Sequence, residues 1–123
     1  MSSDFNQSVR REIEKTNYII ENAGIEKERY QNLKNKINDE LIPKLRAAKN
    51  WTLEAKNSLN RCYDSEEAKK KSDNLQSYSD KIDTIINMLN RVVIPQISAN
   101  INSSDIQIEN AKSDLNKYNN MLD

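Results

Sequence analysis

The chain has 123 residues, 19 basic and 19 acidic side chains, and no histidine. Because the net charge is zero, there is no basic excess to neutralise phosphates, and the composition disfavours nucleic-acid binding. A single Gly and two Pro argue against an all-β fold, which needs many turns. The length predicts one domain over residues 1–123.

The first half carries apolar residues at steps of three or four, the period of one helix face. A weaker stripe runs from Phe5 to Ala23, and at Gly24 the helix either ends or continues at a cost of about 1 kcal/mol. Pro43 lies inside the stronger stripe, which keeps its phase, so we predict a kinked but continuous helix. The stronger stripe comprises Tyr30, Leu33, Ile37, Leu41, Leu45, Ala48, Trp51, Ala55, Leu59 and Cys62.

A turn is predicted at 63–65, where Asp64 and Glu67 have the spacing of a capping box. A turn at 49–53 is the alternative. The second half then shows the alternating three- and four-residue steps of a heptad seam, which slips in phase near Pro95 and resumes downstream. The seam before the slip consists of Leu75, Tyr78, Ile82, Ile85, Leu89 and Val92.

Together these patterns predict an all-α fold, an elongated antiparallel hairpin of two long helices, with breaks near Gly24 and Asn102–Ser104 left open. Two helices cannot enclose stripes of this length. Either the ends fold back into a four-helix bundle, or another chain covers the stripes. Trp51 therefore packs in the seam or anchors a partner. The predicted partner-binding residues are Leu45, Trp51, Ala55, Leu59, Tyr78, Ile82, Ile85 and Leu89.

The sequence offers no constellation for catalysis, for a cofactor or for a metal ion. Without His, a Cys–His nucleophile and His metal sites are excluded, and a single Gly cannot form a phosphate loop. We therefore predict that the chain is not an enzyme. The lone Cys62 cannot form an intramolecular disulfide, and its role stays open.

The first residues lack the apolar core of a secretory signal, and no apolar run is long enough to span a bilayer. The expected location is the cytoplasm, with export without a cleaved signal peptide left open.

The segment around the only Trp reads Pro43-x-Leu45, then Trp51-x-Leu53-x-Ala55-x-x-x-Leu59. In a small helical chain this resembles the WXG/ESAT-six-like superfamily, and more narrowly the small helical partners of LXG toxins of type VII secretion. That family places a Trp-x-Gly motif at the bend of a hairpin, whereas Leu53 stands here at the Gly position. The resemblance implies an adaptor or chaperone that pairs with the N-terminal helical domain of an LXG effector or with another small helical protein. Tyr63 and Glu67 have the spacing of the family's Tyr-x-x-x-Asp/Glu export motif.

Two other functions fit the same patterns. A self-assembling coiled-coil homodimer would act as a scaffold, and a toxin-masking regulator would bind a partner's catalytic end. A tight homodimer that does not bind effector domains would favour the scaffold function.

Overall fold

The structure, a computed structural model, describes residues 3–62 and 64–122. Two long helices of 60 and 56 residues pack against each other, and the described residues contain no strand, which confirms the predicted all-α hairpin. Each long helix has two α-helical parts joined by a π-helical turn. The first comprises α1 (Ser3–Lys36), a π turn (Ile37–Leu41) and α2 (Ile42–Cys62); the second comprises α3 (Glu66–Met88), a π turn (Leu89–Val93) and α4 (Ile94–Met121).

The hairpin turn lies between α2 and α3, as predicted, and α2 passes unbroken through 49–53. Ser65 caps α3: its backbone is extended, and its Oγ accepts a hydrogen bond from the Ala68 N–H at 3.1 Å. The prediction of Asp64 as the cap was wrong by one residue. Glu66 and Glu67 occupy the first turn, where negative charge favours the positive end of the helix dipole.

Neither of the two suspected breaks is present. Helix α1 continues through Gly24, and α4 continues through 102–104, so neither helix has the break at these positions that a fold-back would need. The period of apolar residues outweighs the weak preference of one Gly for a helix end.

Both π turns are explained by the Ile-Pro pair that follows each of them. Pro43 has no N–H for the carbonyl of Asp39, and its ring would collide with that carbonyl in a regular α-helix. The chain widens instead: the Ile42 N–H donates to the Ile37 carbonyl, five residues back. The same arrangement joins Ile94 to Leu89 ahead of Pro95.

The contacts divide the chain into two units. The turn unit comprises Lys34–Pro95, and the terminal unit comprises residues 1–33 and 96–123. The prediction of a single domain stays a prediction. In each unit the core is the line along which two antiparallel helices meet, which we call the seam. Its buried residues are Ile37, Ile42, Thr52, Ala68, Ser72, Ser79 and Ile86 in the turn unit, and Val9, Thr16, Ala23, Ile97, Ser104 and Ala111 in the terminal unit.

Candidate partner-binding face

In the turn unit, the seam lies one residue away from the predicted apolar stripes. Thr52 is buried, whereas the neighbouring Trp51 is 70% exposed. Likewise Ser79 is 1% exposed beside Tyr78 at 58%, and Ile86 is 7% exposed beside Ile85 at 46%. Successive residues of an α-helix point about 100° apart, so the stripes flank the seam. The interpretation of Trp51 as a seam residue of this chain is therefore wrong.

The π turn before Pro43 explains this offset in the first helix. Ile37 and Ile42 are both buried although they are five residues apart, because the wide turn absorbs one extra residue. Apolar residues that continue beyond this turn at steps of three or four therefore no longer point into the seam. Ile37 is accordingly buried, Leu41 is exposed one step later, and Trp51 is exposed further along α2.

The exposed stripes of α2 and α3 lie on the same side of the hairpin. Because the two helices run in opposite directions, the residue that precedes a seam residue projects to the same side on both. Trp51 precedes Thr52, and Tyr78 precedes Ser79. We call this side the apolar face; it comprises Ala48, Trp51 and Ala55 of α2, Leu75, Tyr78, Ile82 and Ile85 of α3, and Leu89.

The opposite side of the turn unit is polar. Lys49 Nζ lies 2.8 Å from Asp83 Oδ1, and Lys56 Nζ donates to Gln76 Oε1 at 2.6 Å. The Gln76 amide in turn donates to Asp80 Oδ1 at 2.9 Å. Cross-helix polar contacts therefore hold this side, while the apolar face is open.

Small side chains fill much of the seam between these two sides. Thr52 donates its hydroxyl to the Ala48 carbonyl of its own helix at 2.8 Å, so the buried group is satisfied locally. Ala68, Ser72 and Ser79 line the α3 side. Small residues let helices approach closely, and the larger stripe residues are left at the surface.

The predicted partner-binding residues fall into two groups. Trp51, Tyr78 and Ile85 are exposed, and the Lys81 ammonium lies 5.7 Å from the centre of the Tyr78 ring. The others are half-buried and border the seam: Leu45, Ala55, Leu59, Ile82 and Leu89.

The proposed export motif is described only in part. Tyr63 lies outside the described residues. Glu67 is exposed, and its Oε1 lies 3.7 Å from Lys71 Nζ one turn later. The motif therefore stays a prediction.

Sequence reasoning missed the small seam residues that push the apolar face outward. Ser72, Ser79 and Ile86 recur at heptad spacing, which is the one signal that could have indicated them. Small polar residues at such positions add nothing to the apolar periodicity, which follows the larger residues of the neighbouring stripe.

The fold is that of an all-α helical hairpin, with an apolar face on one side of its turn unit. In the described part of the chain, no cluster of His, Cys, Asp or Glu is arranged to hold a metal ion, and no helix is apolar enough over a sufficient length to cross a membrane. Comparison of the chain with protein-family models, curated proteins and solved structures finds no match. The resemblance to the WXG/ESAT-six-like superfamily thus stays a prediction.

Proposed function

We propose that the chain is a binding protein that pairs with a helical partner through the apolar face of its turn unit. The observation that carries this proposal is the outward position of Trp51, Tyr78 and Ile85 on a single side. Aromatic side chains bury roughly 150–250 Å² each when fully covered, so Trp51 at 70% exposure and Tyr78 at 58% together offer roughly 190–320 Å². With the neighbouring Ile and Leu side chains, the patch reaches the size of the largest apolar patch on a typical monomer, which is often functional.

The binding mode is helix-on-helix packing. Apolar side chains leave water when a second helical surface covers them, which is the main driving force for such association. Trp and Tyr are enriched among the residues that dominate binding energy, so Trp51 and Tyr78 are the expected anchors. Charged side chains around the face would then set the orientation of the partner.

The resemblance in the Trp51 segment suggests the identity of the partner. The candidate is the N-terminal helical domain of an LXG-type effector, which the chain would chaperone or target for type VII secretion. Coverage of the apolar face would then protect the effector's own apolar stripe until export.

Co-expression tests this proposal. The chain is produced together with the protein encoded beside its gene, and the complex is purified through a tag on the chain. A stable complex of defined stoichiometry is expected for the native sequence. The double variant Trp51→Glu/Ile85→Glu should lose it, because two buried carboxylates without partners are costly.

A matched control variant carries the same added charge on the opposite side. Asn60 and Asn87 are exposed and follow Leu59, which borders the seam, and the seam residue Ile86, so Asn60→Glu/Asn87→Glu leaves the apolar face intact. This variant should retain the partner. If both double variants bind equally well, the apolar face is not the binding site.

A further inference from the structure

The sequence of α2 contains two sets of residues that fit the seam at heptad spacing. In the structure, the residues that follow the buried Ile37 in the seam begin eight positions later, beyond the π turn: Leu45, Thr52 and Leu59. Seven-residue steps from Ile37 without the extra residue lead instead to the neighbours that precede them: Lys44, Trp51 and Ser58. The π turn therefore decides whether Thr52 or Trp51 points at α3.

The second row of seam positions changes in the same way. The structure directs Ile42, Lys49 and Lys56 toward α3, where the two Lys side chains meet Asp83 and Gln76. An uninterrupted α-helix would direct the residues before them toward α3: Leu41, Ala48 and Ala55. We call the residues that point at α3 in the structure the observed set, and their preceding neighbours the second set.

The two sets are similar in apolar content. The observed set contributes Ile42, Leu45 and Leu59 as its large apolar side chains, and the second set contributes Leu41 and Trp51 together with two Ala. Since the free energy of burial follows the apolar area, side-chain burial alone does not select the observed set.

Pro43 supplies the missing preference. The second set requires a regular α-helix from Ile37 onward, in which Pro43 has no N–H for the Asp39 carbonyl and its ring collides with that carbonyl. The observed set requires the π turn, which relieves the collision. We infer that Pro43 is a lock that holds Trp51 outward, and that without it α2 turns by one residue and draws Trp51 into the seam. The lock acts between α2 and α3 alone, so it operates whether or not a partner binds the apolar face.

The α3 side of the seam suits this exchange. Its buried residues before Ile86 are all small: Ala68, Ser72 and Ser79. Large side chains on one helix pack well against small ones on the other, so Trp51 would meet a row that leaves it room.

The other π turn, ahead of Pro95, is not a lock of this kind. Without it, seven-residue steps back from the half-buried Ile94 lead to three exposed polar residues: Asn87, Asp80 and Asp73. They would displace Ile86 and two Ser from the seam, and burying two carboxylates is costly. The residue pattern of α3 therefore keeps its phase with or without Pro95, and Pro95→Ala is a matched control for Pro43→Ala.

The fluorescence of the only Trp reports the state of the lock. Trp51 is 70% exposed in the native chain, so acrylamide should quench it strongly. In Pro43→Ala we expect emission at shorter wavelength and several-fold weaker quenching, because the exposure of Trp51 would fall toward the 6% of Thr52. Pro95→Ala should change neither signal. Both signals should be independent of protein concentration, which separates burial within the chain from self-association.

A rescue variant distinguishes the lock from a general effect of the substitution. Ala48 is exposed in the native chain but enters the seam in the second set, so Pro43→Ala/Ala48→Glu should restore the native emission and quenching. The pair Lys49–Asp83 provides an independent readout. Its coupling in a double-mutant cycle should vanish in Pro43→Ala, because Lys49 turns away from Asp83.

Several results would overturn the inference. They are unchanged Trp51 emission in Pro43→Ala, an equal shift in Pro95→Ala, and a shift that grows with protein concentration. Circular dichroism follows the helix content of each variant, which should stay native in both phases. A Pro43→Ala chain that loses its helix content and does not regain it with Ala48→Glu would also contradict a second stable phase.

Discussion

The two units place the same row of helix positions in contact with water, but only the turn unit has large apolar side chains in that row. In the terminal unit, the residues that precede the seam residues are all polar: Ser8, Lys15, Asn22, Gln96, Ser103 and Asn110. In the turn unit, the equivalent row contains four large apolar residues and three charged ones: Leu41, Trp51, Tyr78 and Ile85, and Lys36, Glu67 and Lys71. Since both units are antiparallel helix pairs, the pairing of the helices does not itself require this apolar row.

The register of the pairing is the same in both units. In the turn unit, Lys49 pairs with Asp83. Seven residues later on the first helix, Lys56 pairs with Gln76, which lies seven residues before Asp83 on the second. The terminal unit contains an ion pair in the same register: Lys27 lies 22 residues before Lys49, Asp105 lies 22 residues after Asp83, and Lys27 Nζ is 2.6 Å from Asp105 Oδ1. The units thus differ in which residues face outward and not in how the helices align.

In the terminal unit, the side that corresponds to the apolar face holds an open groove. Ser103, Gln107, Asn110 and Asp114 line it together with the apolar side chains of Ile19, Ile106 and Ala111. A helical partner would have to desolvate four polar side chains in order to cover the two Ile side chains of this groove. We therefore expect docking to be confined to the turn unit.

The largest expected effect on stability distinguishes a seam residue from its neighbour on the apolar face. The two neighbours, Ile86 and Ile85, are of the same residue type. Ile86→Ala should lower the free energy of unfolding by about 2–4 kcal/mol, because it leaves a cavity in the seam. Ile85→Ala should lower it by less than about 1 kcal/mol, because that side chain is already 46% exposed. Urea unfolding followed by circular dichroism measures both. Equal losses would mean that Ile85 is part of the seam after all.

The next effect tests whether small seam residues are required. Ser79 is 1% exposed, and Ser79→Leu should cost about 1–3 kcal/mol because the helices must separate to admit the side chain. Ser77→Leu on the exposed surface of α3 serves as the control and should change stability by no more than about 0.5 kcal/mol. If Leu is tolerated at both positions, close approach does not explain the exposure of Tyr78.

The sequence was sufficient to predict the fold class and the position of the turn. Helical periods over long stretches and the acidic start at Glu66 are local signals, and local signals determine helices and their ends. The predicted group of partner-binding residues did include the exposed Trp51, Tyr78 and Ile85. Their role in binding stays a prediction.

The orientation of those stripes could not be read from periodicity. A π turn shifts the helix phase by one residue without altering the spacing of apolar residues, so the spacing through Pro43 indicates an unbroken stripe. The phase slip near Pro95 was visible in the sequence because the apolar spacing itself changes there. Ser72 and Ser79 gave no apolar signal although they line the seam.

A smaller effect is expected in the terminal unit, at the only Gly. A methyl group added at Gly24 would meet no atom within 4 Å outside its own helix backbone, and Gly in a helix interior is less favourable than Ala. Gly24→Ala should therefore raise the free energy of unfolding by about 1 kcal/mol, measured by urea unfolding. A loss of stability would indicate that the helix uses the flexibility of Gly at this point.

The smallest effect compares the cross-helix ion pairs of the two units. Lys49–Asp83 and Lys27–Asp105 are both partly exposed, so each pair should contribute only about 0.2–1 kcal/mol in a double-mutant cycle with Ala. Both coupling energies should fall as salt is added, because exposed charges are screened. The Lys15–Glu12 pair, which lies on one helix, provides a reference for coupling without pairing of helices. A coupling of several kcal/mol that persists in high salt would mean that charge pairing, rather than the seam, holds the two helices together in that unit.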